Sequence, residues 1–245
     1  MSSATFNDRT CSAPAARSAR MRDIVLKYAP ADRPIAVLDL GCGTGSLVFL
    51  LATALPSARI AGVDVSAANI RAAEEARAGL DPSKAGRIVF EQVDYLQRAA
   101  TPVDLLVSDG VLHLIPGDTR ALLARLAADV KPGGHAVICM PYDCGYNYAF
   151  AMLRRVLRLV RSRALDALIL QVGRVLHGKD MDDEGLRERI PYMYIAPERL
   201  AGRRLREVIA PSVGLTLVDR HEMPSVSPSQ LKHEVLVFRK LESAA

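Results

Sequence analysis

Three kinds of residue in this chain could do chemistry: a glycine-rich turn, aspartates that close apolar runs, and a histidine. Val37-Leu38-Asp39-Leu40-Gly41-Cys42-Gly43-Thr44-Gly45 joins an apolar run to a helical pattern through three alternate glycines. Glycines reach backbone angles closed to other residues and let the main chain approach a ligand with no Cβ between them. The fingerprint G-x-G-x-x-G of dinucleotide sites occupies the same place. Here the spacing is G-x-G-x-G, with Ser46 and Leu47 where that fingerprint has its last glycine. Asp39 precedes the first glycine, Asp64 ends the next apolar run and Asp94 follows the one after. His113 follows a fourth run. By its intrinsic pKa it is the candidate general base, and a histidine that merely fixes its loop is the competing reading. His221 is a weaker candidate, and His135 reads as structural. No cysteine or histidine spacing suggests a metal site.

The elements that must position these residues alternate between short apolar runs and helical patterns, the signature of a parallel sheet covered on both faces. Strands are expected over residues 35–40, 59–65, 87–93, 103–108 and 135–140, the last after the turn Lys131-Pro132-Gly133-Gly134. Helices are expected over 46–55, 67–78 and 119–130, the third capped by Asp118. Near the C-terminus 197–209 reads as a helix, and 215–218 and 234–238 as strands. The expected architecture is α/β, a doubly wound, mostly parallel seven-stranded sheet. Residues 1–31 would form an N-terminal helical cap, 32–140 the cofactor-binding core, 141–196 an inserted helical lid and 197–245 the rest of the core. Within the insertion Met152, Leu153, Val156, Leu157 and Val160 share one helical face, and Arg154, Arg155, Arg158, Arg161 and Arg163 lie largely on the other.

These motifs resemble the class I S-adenosylmethionine-dependent methyltransferases, whose first motif is an acidic residue followed by x-G-x-G-x-G. The resemblance runs through residues 35–140 and takes in Gly62-Val63-Asp64-Val65-Ser66, Gln92-Val93-Asp94-Tyr95, residues 103–113 and Val130-Lys131-Pro132-Gly133-Gly134. It implies a Rossmann-like fold and methyl transfer from S-adenosyl-L-methionine, leaving S-adenosyl-L-homocysteine. Asp39, Gly41, Cys42, Gly43, Gly45, Asp64, Val65, Asp94, Tyr95 and Ser108 would then border the cofactor. Asp64 would take the ribose, Asp94 the adenine amino group with Tyr95 beside it, and Asp39 the ammonium end. The chain lacks the N/D-P-P-Y/F run that goes with amide or base-nitrogen targets; Ser108-Asp109-Gly110-Val111-Leu112-His113 stands there and looks more like the small-molecule enzymes.

Composition bounds the rest. The chain has 245 residues, no Trp and 5% aromatics, which speaks against a stacking surface for single-stranded nucleic acid. No apolar run approaches the roughly 18–20 residues that span a bilayer, and no secretory signal is evident. Four cysteines without a disulfide framework suit a reducing cytoplasm. Tyr142, Tyr146, Tyr192 and Tyr194, with Tyr148, flank the lid and suit an organic-acceptor pocket. Residues 152–179 carry six arginines and one lysine against Asp166 alone. A solvated face is the default reading of these cations; an anionic acceptor, an acidic carrier protein and a lipid surface compete with it. The expected function is methylation of a small organic acceptor, anionic or not, at oxygen or nitrogen. A lipid or RNA acceptor, a homodimer and a non-catalytic cofactor-binding module stay open.

Overall fold

A computed structural model describes residues 14–30, 32–177, 183, 186–187, 190–224 and 230–242. Its centre is a seven-stranded sheet. In chain order the strands are β1 (Ala36–Leu40), β2 (Arg59–Asp64), β3 (Ile88–Gln92), β4 (Val103–Asp109), β5 (Val130–Pro141), β6 (Leu215–Met223) and β7 (His233–Lys240). They lie in the order β3-β2-β1-β4-β5-β7-β6. The first five are parallel, and β7 runs antiparallel to both β5 and β6. Strand order reverses between β1 and β4, so the cleft beyond their carboxyl ends is where a doubly wound sheet binds ligands.

Side chains of β1 alternate between two cores. Val37 joins Leu105 and Val107 under helices α1 (Ala15–Leu26) and α2 (Ser46–Ala54). Leu38 and Leu40 join Leu106 on the opposite face, beneath α5 (Thr119–Asp129), where Leu122, Leu123 and Leu126 pack. Helix α3 (Ala67–Ala78) starts from Ser66, whose side chain accepts from the Asn69 amide. The short α4 (Pro82–Ala85) leads into β3, and Asp118 caps α5 through the Ala121 amide. The Lys131–Gly134 segment is a bulge rather than a free turn. β5 pairs with β4 at Val130, breaks, and resumes at His135 opposite Leu105.

Two C-terminal expectations change. β6 continues to Met223, with exposed residues alternating with half-buried ones along the edge of the sheet. The helix expected over 197–209 is absent until Arg203, and residues 205–209 wind as a single π-helical turn. Tertiary bonds override the local pattern there. The buried Arg199 guanidinium donates to the carbonyls of Leu112, Ile115 and Gly117 at 2.6–2.8 Å, and the Glu198 amide donates to His113 O at 2.8 Å.

The insertion after β5 is helical: α6 (Gly145–Leu159), α7 (Arg163–His177) and a 3-10 turn, Ile190–Tyr194. Its orientation differs from the simple amphipathic expectation. α6 turns Asn147, Ala151 and Arg154 toward the protein, while Met152, Leu153, Val156 and Leu159 face outward, Leu159 being 82% exposed. The reason is polar. Asn147 donates to the carbonyls of Tyr142 and Lys232 and accepts from the Lys232 amide, all within 2.7–2.8 Å. Nearby, Tyr142 bridges Ala201, whose amide donates to Pro141 O, so the insertion closes on itself at a narrow neck. Asn147→Ala would strip the Tyr142 carbonyl and the Lys232 amide of these partners, leaving Lys232 O its bond from the Tyr142 amide, and is expected to cost about 1–3 kcal/mol in a denaturant titration.

Candidate functional site

The glycine loop lies at the reversal of strand order. Gly41, Gly43 and Gly45 all have positive φ, 76°, 55° and 84°. The amides of Gly41 and Cys42 donate to Val63 O, which ties the loop to β2. Asp64 completes the tie: one carboxylate oxygen accepts from the Gly43 amide at 2.9 Å, the other from the Ser66 amide and the Asn69 side chain. Gly45 precedes α2 without a side-chain cap, so the first amides of that helix remain available to a ligand, as at anion-binding helix starts. Ser108 is fully buried, and its hydroxyl donates to Leu40 O at 3.0 Å, fastening β4 to β1. Cys42 is buried beneath Gly62, and burial pushes its thiol far up.

Asp94 sits past the end of β3, with one carboxylate oxygen accepting from the Leu96 amide. Val65 is half-buried between β2 and α3. Tyr95 does not take the place expected for it. Its ring is buried in the core under the Arg125 guanidinium, and its hydroxyl donates to Asp129 at 2.7 Å, beside the amino end of β5. Only its backbone is left to border a ligand at the sheet's carboxyl end.

Charge is divided across the cleft. On the loop side Asp39 is almost fully buried, and burial together with the carboxylates of Asp109 and Asp64 pushes it up to about 8. Asp109 ends β4 and is bound by Arg17 of α1, whose Nε and terminal nitrogen donate to it at 2.8 and 2.6 Å. Beyond that ion pair the sign reverses. His113 is buried, its ring edge-on to His233 with centroids 5.7 Å apart. Burial holds His113 well below the usual imidazole range, and His233, Arg154, Arg17 and Arg199 add to the effect. Burial and Arg17 bring His233 down to about 4, and burial lowers Arg154 to about 10. His113 is therefore neutral at physiological pH and a weak base, unlike the poised base expected from its intrinsic pKa.

The four tyrosines take separate places. Tyr194 is buried with its hydroxyl donating to Asp166 at 2.6 Å and Arg161 over its ring, so it braces the insertion internally. Tyr146 stacks on Phe150 under Lys232, Tyr142 is half-buried at the neck and Tyr192 is half-buried in the 3-10 turn. Arg17, Arg154 and His233 were not singled out from sequence as site residues. Arg154 reads as one of a solvated arginine series, and His233 faces the site only through the pairing of β7 with Pro141.

Residues 38–136 match the family model for a methyltransferase domain. A trans-aconitate 2-methyltransferase of Azoarcus sp. (strain BH72) is 36% identical over 135 residues, covering 52% of this chain and 47% of that protein. One from Deinococcus radiodurans is 40% identical over 127 residues, covering 51% and 45%. The chain thus spans about half the length of the curated relatives it matches. Among solved structures, the 1,6-didemethyltoxoflavin-N1-methyltransferase of Burkholderia thailandensis, solved with S-adenosylhomocysteine, superimposes with a TM-score of 0.59 at 19% identity. That alignment covers 93% of this chain and 80% of the other, and it shows a shared fold.

Proposed function

We propose, from the premise that residues 38–136 form a methyltransferase domain within a class I fold, that this chain methylates a small organic acid with S-adenosylmethionine. The observation that carries this reading is the division of charge. Asp39 and Asp64 make the loop side acidic, suited to the cofactor's ammonium and sulfonium charges, while His113, His233 and Arg154 make the far side suited to an acid. The trans-aconitate 2-methyltransferases among the relatives support an acid acceptor.

The residues present fit the cofactor. A buried carboxylate held up by two like charges is relieved by a cation. Asp64 already accepts three hydrogen bonds in holding the glycine loop and the start of α3, and of a carboxylate's about four acceptor positions roughly one is left for a ribose hydroxyl. Asp94 would take the adenine edge. When bound, the cofactor supplies a methyl group already activated by a sulfonium. The chain's part is to hold the acceptor oxygen in line with that methyl and exclude water, and such positioning supplies roughly 7–11 kcal/mol. A carboxylate oxygen attacks with its own lone pair: the C–O bond forms as the C–S bond breaks, and that electron pair stays on sulfur. No proton moves, so a neutral His113 needs only to orient the acceptor.

Among the described residues no helix is long and apolar enough to cross a membrane. Cys42, Cys139 and Cys144 are free thiols, which supports a reducing, cytoplasmic setting. The test is transfer of label from methyl-labelled S-adenosylmethionine to trans-aconitate and to a pool of small organic acids. A labelled, base-labile ester supports the reading; cofactor binding with no transfer to any acid would favour a non-catalytic module. Asp64→Ala should weaken S-adenosylhomocysteine binding by about 1.5–3 kcal/mol in calorimetry, the loss of a charge-assisted hydrogen bond.

A further inference from the structure

Native structures seldom leave buried polar atoms unpaired, and each exception needs an explanation. Among the described residues two buried side-chain nitrogens have no hydrogen-bond partner: His113 Nδ1 and Arg154 Nε. They come from distant parts of the chain, the loop after β4 and the inserted helix α6, yet they belong to one cluster. Arg154 is close enough to His113 and to His233 to lower the affinity of both for a proton. The acid that reaches His233 is Asp109, and Arg17 already binds it. The cluster thus carries positive charge with no free carboxylate of its own.

Arg154 is also held in place. One terminal nitrogen donates to Ile195 O at 3.1 Å, and the guanidinium lies 4.8 Å over the Phe150 ring. Its unpaired Nε is therefore presented by a fixed guanidinium, and a planar fork of this kind matches a carboxylate better than a point charge does. A neutral imidazole in its Nδ1–H tautomer adds a second donor without adding repulsion.

We propose that Arg154 and His113 grip a carboxylate of the acceptor that is not itself methylated, so that the acceptor carries at least two carboxylates. This rests on the methyltransferase reading and assigns to the inserted helix the choice of acceptor. A carboxylate gripped by a guanidinium has its lone pairs committed to N–H bonds and is a poor nucleophile. The gripped group orients the molecule, and a second carboxylate reaches the methyl. The Arg17–Asp109 pair stands between the two poles and keeps the acid-binding cluster from pulling Asp109 across.

The test uses the full chain loaded with S-adenosylhomocysteine and titrated with tricarballylate, its trimethyl ester and a monocarboxylate of similar size. The triacid is expected to bind, and the ester and the monoacid not. Arg154→Gln should weaken triacid binding about 10- to 100-fold, as for a lost charge-assisted pair. Arg154→Lys should fall between it and the parent. His113→Phe, which changes no residue of the insertion, should also weaken the triacid. All three variants should bind S-adenosylhomocysteine as the parent does. Equal binding of ester and acid, or triacid binding unchanged in both Arg154→Gln and His113→Phe, overturns the carboxylate grip and leaves the cofactor site standing. Failure of the parent to bind S-adenosylhomocysteine would instead overturn the reading on which it rests.

Discussion

Gly41→Ala is expected to abolish measurable cofactor binding and to lower stability by about 2–5 kcal/mol. Two separate costs add. At φ 76° an L side chain is strained by roughly 1–2 kcal/mol. A Cβ there would also lie 2.2 Å from Val111 Cγ2, with both other branch atoms of that side chain at 2.8 Å. Overpacking of this kind costs about 1–3 kcal/mol and is relieved by moving the backbone, here the loop that would border the cofactor. The two costs can be told apart. In the double variant Gly41→Ala/Val111→Ala the overlap shrinks while the strain in φ remains. It should regain about half the lost stability and stay impaired in binding. A Gly41→Ala protein that binds S-adenosylhomocysteine normally would show that the loop does not approach the ligand as closely as its geometry implies.

The second large effect is a pH dependence. In the free protein Asp39 titrates at about 8, so at pH 7 it is mostly protonated. A ligand carrying positive charge binds the ionised form, and below about pH 8 it must expel a proton to do so. Affinity for S-adenosylmethionine should therefore fall about tenfold for each pH unit below 8 and level off above it. Stability of the free protein should move the other way. Folded protein keeps a proton that the unfolded chain loses near pH 4. The contribution of this group to stability is then full below about 4 and is lost as pH rises through about 8. Asp39→Asn should flatten both slopes. Calorimetric binding and thermal melting between pH 6 and 9 would check them, and a flat affinity profile in the parent would show that Asp39 does not face the ligand's charge.

Much of the parallel part of the sheet was legible from residue types alone. Alternating apolar runs and glycine spacing specify β1 through β5, since local pattern and tertiary role coincide there. Tyr95 was misplaced because its motif position says nothing of which way the ring turns. The ring goes where Asp129 can accept its hydroxyl. The helix expected over 197–209 failed because Arg199, buried against three carbonyls, holds the chain extended. Sequence does not separate Arg154 from the other arginines of the insertion for a related reason. Helical periodicity identifies an apolar face, and burial ordinarily follows it. In α6 the hydrogen bonds of Asn147 turn the opposite face inward. Sites assembled by long-range polar contacts leave no periodic trace in the sequence.

The neck at Tyr142 and Ala201 has a consequence for descent. Its two ends meet at a single bridge outside the seven strands, so the segment between them can lengthen, shorten or be exchanged while the sheet keeps its pairing. Doubling the length of such a loop costs only about 0.6 kcal/mol of closure entropy. The family match ends at residue 136, just short of the neck. On the proposed reading, selection can rewrite the recognition of one reactant in the insertion while inheriting the handling of the other unchanged. The same neck gives an engineer a natural place to graft a different insertion onto this core.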